Sequence, residues 1–192
     1  MRRIVLSLAV LGAASLGACS GGGSVLNSSG ANTPDKVVVT TVGPTNIARV
    51  LPGASIALSA VALKGDGVLS NNNFRWSAAL VSSGTYTANT SGQQKPCAVI
   101  TQTIGAVTSP FTADFSIFIA IDPVNEANII FEAPTSLTAP AGSTLATSFP
   151  YCVVVSATAG SITGTGLGTT FVPTSAVGSI TVAVVNPQNP EQ

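Results

Sequence analysis

An all-β protein of antiparallel sheets packed as a sandwich is the fold class the sequence predicts, and three observations predict it. Apolar residues recur at every second position in several separate runs, the period of a strand with one face turned inward. Gly, Pro and Asn signals for tight turns fall between those runs at short spacing, and no stretch combines helical periodicity with caps. At 45% hydrophobic and 7% charged residues, rich in Val, Ile and Thr, the composition is the opposite of one that keeps a chain solvated. The length of 192 residues suffices for one or two small domains.

Val37 and Val39 open the series of alternating runs. Ile56, Leu58, Ala60 and Ala62 follow the Pro52-Gly53 turn, and Gly65-Asp66-Gly67 closes that strand. Phe74-Arg75-Trp76-Ser77 lies between Asn71-Asn72-Asn73 and Ser83-Gly84. After Ser91-Gly92 comes a strand-like Cys97-Ala98-Val99, and then Phe115, Ile117, Ile119 and Ile121 at period two. Tyr151-Cys152-Val153-Val154-Val155 and Ile180, Val182 and Val184 complete the set, with turns expected at Gly43-Pro44, Ala141-Gly142 and Ala159-Gly160. Ile129-Ile130-Phe131, Pro134 and Ala139-Pro140-Ala141-Gly142-Ser143 echo the order of Val37-Val38-Val39, Pro44 and Leu51-Pro52-Gly53-Ala54-Ser55. Residues 122–187 are therefore read either as a second, smaller β unit or as the continuation of one enlarged sandwich that starts with 36–121, and 188–192 as a tail.

Residues 37–90 carry a Val-rich first strand, the Pro52-Gly53 turn, the strand Ser55 to Ala62, a Gly-rich excursion at Lys64 to Gly67 and the Trp76 strand. In that order they resemble the bacterial immunoglobulin-like domains of secreted and surface proteins. The resemblance implies an antiparallel immunoglobulin-like sandwich whose core holds the indole of Trp76. It departs after the Trp strand, where TYTANTSGQQKPCAVITQ replaces the usual run of small residues ending in a Gly-rich hairpin. A fold supported this way says little about activity.

The amino terminus has a different character. Arg2 and Arg3 precede a short apolar run from Ile4 to Leu16, which is too short for the ~20 residues of a membrane-spanning helix. Residues 1–18 are read as an export signal. Leu16-Gly17-Ala18-Cys19 resembles the lipobox of bacterial lipoproteins. That resemblance implies cleavage before Cys19, a diacylglycerol thioether on its sulfur and acylation of the new amine, palmitate included. Two or three chains anchor a protein stably where one is marginal. Ser20 after the Cys implies export to the outer membrane, with the body facing the periplasm or the surface. Residues 19–35, rich in Gly, Ser and Asn, are read as a flexible tether with a reach of roughly 20 Å.

Composition narrows the function classes. With no His, Ser/His and Cys/His nucleophilic catalysis and His-based zinc sites are excluded. Loss of Arg2 and Arg3 leaves acid in excess over base, so no nucleic acid partner is expected. Asp114, Asp122, Glu126 and Glu132 stand singly at strand ends without a calcium-loop pattern, and no enzyme activity, metal or cofactor is expected. Trp76, Tyr86, Phe111 and Tyr151 are weighed as a sugar-stacking platform and assigned to the core. Asn89-Thr90-Ser91 matches a glycosylation pattern that carries little meaning in a bacterium. Once Cys19 is lipidated, Cys97 and Cys152 form an even pair in an oxidising compartment, and a disulfide between them is expected. The resemblance adds nothing to that pairing, because Trp76 precedes both. The function expected is a lipid-anchored envelope module displaying its sandwich for adhesion or for a protein or glycan ligand. The alternative is a structural accessory subunit of an envelope assembly.

Overall fold

A computed structural model of the chain describes residues 33–43, 47–69, 73–163 and 169–188. Apart from one 3-10 turn, all regular secondary structure among them is strand. The elements are β1 (Lys36–Thr41), β2 (Arg49–Val50), β3 (Ser55–Lys64), β4 (Gly67–Leu69), β5 (Asn73–Val81), β6 (Thr85–Thr87), β7 (Gln94–Pro96), β8 (Thr101–Ile104), β9 (Val107–Pro110), β10 (Ala113–Asp114), a 3-10 turn (Ser116–Phe118), β11 (Ile119–Ile121), β12 (Asn128–Glu132), β13 (Ser143–Ala146), β14 (Tyr151–Thr163) and β15 (Thr170–Val184).

Two five-stranded sheets face each other. The first has the order β1-β3-β12-β11, with β4 also on β3, and the second the order β10-β5-β14-β15-β2. Every pairing is antiparallel except that of β2 with β15. In chain order β1, β3, β12 and β11 stand as A-B-E-D, and β5, β14 and β15 as C-F-G, the strand order of an immunoglobulin-type sandwich. The pairings cross residue 122 in both sheets: β12 lies on β3 from Ser55 to Ser59, and β14 lies on β5 from Asn73 to Val81. Residues 122–187 thus continue the sheets that 36–121 begin.

Alternation decides which face is buried. Val37, Val39, Leu58, Ala60, Ala62, Ile129 and Phe131 of the first sheet meet Phe74, Trp76, Leu80, Val153, Val155, Val182 and Val184 of the second in one core. Each large aliphatic among them contributes ~1.5–3 kcal/mol over an exposed position. Small residues set how closely strands approach. A Cβ at Gly178 would run into the Val37 carbonyl, so only glycine lets β15 close onto β1. The Leu51-Pro52-Gly53-Ala54 turn is type II: the Ala54 N–H donates to the Leu51 carbonyl at 3.0 Å, and Gly53 takes φ +75°.

Two expectations need correction. Phe115 to Ile121 is not one strand. The Phe115 N–H makes the last bond to the Ala78 carbonyl at 2.7 Å, and the chain then crosses between the sheets as a 3-10 turn. Spacing of three buries Phe115 against Phe118, ring centroids 5.5 Å apart, while Ile117 is left 86% exposed. Nor is Ala159-Gly160 a turn: it is a bulge inside β14, where the register against β15 shifts between Thr158 and Gly160. A Cβ at Gly160 would meet the Phe171 ring, whose centroid lies 4.9 Å from the Arg75 guanidinium carbon. Bulges and turns share the same small-residue signature.

Candidate functional site

The segment between β5 and β11 is longer than an immunoglobulin-type sandwich needs. While β8 and β9 pair with β13 in a separate three-stranded sheet, its first part, from β6 to Cys97, folds over the outer face of the second sheet. There it builds a second, smaller core. Tyr86, Ala88 and Cys97 from the insertion meet Cys152 of β14 and Ala183 and Val185 at the end of β15, with Val81 packed beside them. Cys152, Ala183 and Val81 are register partners on the face pointing away from the main core. Cys97 is bonded to Cys152, with Cα atoms 5.6 Å apart. The bond does not bridge the two sheets, and Cys97 lies outside any strand; it clamps the insertion onto the sheet.

The clamped layer is held by its own hydrogen bonds. β6 and β7 pair as a hairpin from Thr85↔Pro96 to Thr87↔Gln94, and the ladder continues where the Cys97 N–H donates to the Gly84 carbonyl at 3.0 Å. In the connecting loop the Asn89 Oδ1 accepts from the Ser91 hydroxyl at 2.7 Å and from the Gln93 N–H at 3.1 Å. The Asn89 amide donates to the Gln93 Oε1 at 3.0 Å. This asparagine, flagged by its glycosylation pattern, spends its polar atoms shaping the loop.

Between this hairpin and β15 a cleft of about 210 Å3 opens, lined by Thr85, Tyr86, Thr87, Gln94, Ser179 and Thr181. The Gln94 amide donates to the Thr87 hydroxyl at 2.9 Å. A wider hollow of about 430 Å3 lies at the opposite edge of the same sheet, along β5 and β10. There the Asp114 Oδ1 accepts the Ser116 N–H at 2.8 Å, and the Ser116 hydroxyl and N–H together hold that carboxyl below its ordinary range.

The other residues singled out in the sequence are dispersed. Trp76, Tyr86, Phe111 and Tyr151 are all buried and form no exposed platform. Asp122 accepts the Val124 N–H at 2.8 Å and closes the loop between β11 and β12, where Trp76 donates its indole N–H to the Glu126 carbonyl at 2.8 Å. Among the described residues no three His, Cys, Asp or Glu side chains group closely enough to hold a metal ion. Cys19 lies outside the described residues. The cleft went unread in the sequence, because its two walls are some 90 residues apart and Tyr86, the aromatic in its lining, was assigned to the core.

Burial in the main core pushes the Tyr151 phenol up to about 12. In the unfolded chain a phenol titrates near ~10, so below that pH both states are protonated and Tyr151 adds no pH dependence. Between roughly pH 10 and 12 the unfolded chain ionises while the folded one resists, and stability falls by up to ~1.4 kcal/mol per pH unit. Urea midpoints of the wild type should therefore drop across that window, and Tyr151→Phe should drop less. Equal losses in both proteins would place the alkaline sensitivity elsewhere.

The sequence matches no protein-family model and has no significant match among curated proteins.

Proposed function

We propose that this chain is a non-enzymatic lipoprotein of the bacterial cell envelope, anchored by lipid on Cys19 and displaying an immunoglobulin-like sandwich for adhesion or for binding an envelope protein or glycan. The observation that carries the reading is Leu16-Gly17-Ala18-Cys19 at the end of a charged and then apolar leader. The Cys97 to Cys152 bond supports it, because such bonds persist in oxidising, exported compartments. With some 15 residues of Gly, Ser and Asn-rich chain between Cys19 and β1, the sandwich stands clear of the lipid surface.

Acyl labelling with an alkynyl fatty acid tests the anchor. The wild type should be labelled and fractionate with membranes, whereas Cys19→Ser should lose the label and become soluble. Label retained by the mutant would sink the reading.

A second reading, a structural accessory subunit of an envelope assembly, is favoured by one feature of the first sheet. Its edge strand β11 has no partner on its outer side among the described residues. Around it Ile117, Ile121, Val124 and Ile130 are 86%, 49%, 93% and 51% exposed. Open apolar edges of this kind pair with other chains. Pull-down from detergent-solubilised envelope separates the two, since a subunit brings a stoichiometric complex and a free display module does not.

A further inference from the structure

We propose that the cleft between the β6–β7 hairpin and β15 binds one neutral sugar ring. The proposal rests on the display reading above and gives its ligand a chemical class. The lining includes Thr85, Thr87, Ser179 and Thr181, which carry hydroxyls, and the amide of Gln94, and among the described residues it holds no charged side chain. An anion or cation would enter without a counter-charge and lose its hydration for nothing. A lipid chain or apolar side chain would strand the hydroxyls. The complementary ligand is uncharged and carries hydroxyls pointing in several directions. A sugar ring has both properties, and beneath the polar lining Tyr86, Ala48 and Ile180 turn their side chains into the two cores.

Size sets the extent of the ligand. About 210 Å3 is below the volume of pockets that enclose drug-sized molecules, so a single ring fits and the rest of a longer glycan would leave by the open side. The wall is preorganised, which lowers the cost of binding. Asn89 fixes the hairpin loop and the Cys97 to Cys152 bond ties the hairpin's end to β14. The Gln94 Nε2 donates to Thr87 and, at 3.4 Å, to the Gly92 carbonyl; its Oε1 has no partner among the described residues and is available to a sugar hydroxyl.

Ligand-observed saturation-transfer NMR on the detergent-solubilised full-length protein tests this, with glucose, galactose, N-acetylglucosamine and glucuronate as probes. At least one neutral sugar should receive saturation, with a Kd of about 1 mM, and glucuronate should bind no better. Gln94 and Ser179 are exposed, so Gln94→Ala and Ser179→Trp should melt like the wild type. Gln94→Ala should bind roughly tenfold more weakly and Ser179→Trp, which fills the cleft, not detectably. Absence of transfer to every neutral sugar overturns the proposal, and so does equal transfer to the wild type and Ser179→Trp. Acyl labelling of the same preparations reports on the anchor separately: a missing sugar signal with Cys19 acylated removes the cleft's ligand and leaves the envelope reading standing.

Discussion

Trp76→Ala should destabilise the protein by about 3–5 kcal/mol, the cost of deleting a large buried aromatic side chain whose surroundings relax only in part. The indole is 7% exposed and stands in the middle of β5, an inner strand paired with β10 on one side and β14 on the other. It also reaches across the sandwich, since its N–H bonds to the Glu126 carbonyl at 2.8 Å in the loop that joins β11 to β12. One side chain thus fills the core and fastens the first sheet's edge hairpin to the second sheet. For a chain of this length the loss corresponds to a melting temperature lower by roughly 10–15 °C. Trp76→Phe keeps most of the apolar surface and gives up the hydrogen bond, so it should cost less, about 1–2 kcal/mol. Thermal unfolding followed by circular dichroism decides it. A Trp76→Ala protein that melts like the wild type would mean that the ring is not held where the sandwich places it.

How much of this was legible depended on burial of one face. β1, β3 and β5 alternate cleanly because one side meets the core and the other meets solvent, so Val37, Leu58 and Trp76 could be assigned inward from spacing alone. β14 reads differently: Tyr151, Cys152 and Val153 are buried in succession because the insertion covers the sheet's outer face. That unbroken apolar run was the trace of a second layer, and it looked like an ordinary strand. The insertion itself offered no period to read. Its strands are two to four residues long and made largely of Thr, Gln, Ser and Pro, too short for alternation to emerge. Ile117 and Ile119 fit a period of two by chance of spacing, and the 3-10 turn won because Asp114 and Ser116 supply bonds that end the strand. The echo between 129–143 and 37–55 does not mark a second unit: the echoed strands β1 and β12 lie on either side of β3 in one sheet, and each is followed by a Pro and Gly-bearing stretch. The cysteine pair was legible from counting and compartment, whereas the cleft needed residues 85–94 laid beside 179–181, which no local pattern encodes.

Loss of the Cys97 to Cys152 bond should cost about 4 kcal/mol, because the closed loop of 55 residues restricts the unfolded chain. Cys97→Ala, Cys152→Ala and the double variant should each show nearly the same loss. The bond disappears in all three, so the two substitutions are far from additive. A double variant whose loss equals the sum of the two singles would show two independently packed thiols instead. Alkylation of the unreduced protein under denaturing conditions is the direct check: modification at both Cys97 and Cys152 would end the assignment. The position of the bond predicts where the damage is felt. It lies outside the main core, among Tyr86, Ala88, Ala183 and Val185, and this small cluster packs the hairpin's apolar side against the sheet. In the reduced protein the amides of Ala88 and Cys97, bonded to Gln93 and Gly84, should exchange well before those of β3 and β14, whose ladders and core are untouched. If the cleft binds sugar, reduction should weaken that binding while the sandwich stays folded, because the wall made by Thr85, Thr87 and Gln94 belongs to the element the bond ties down.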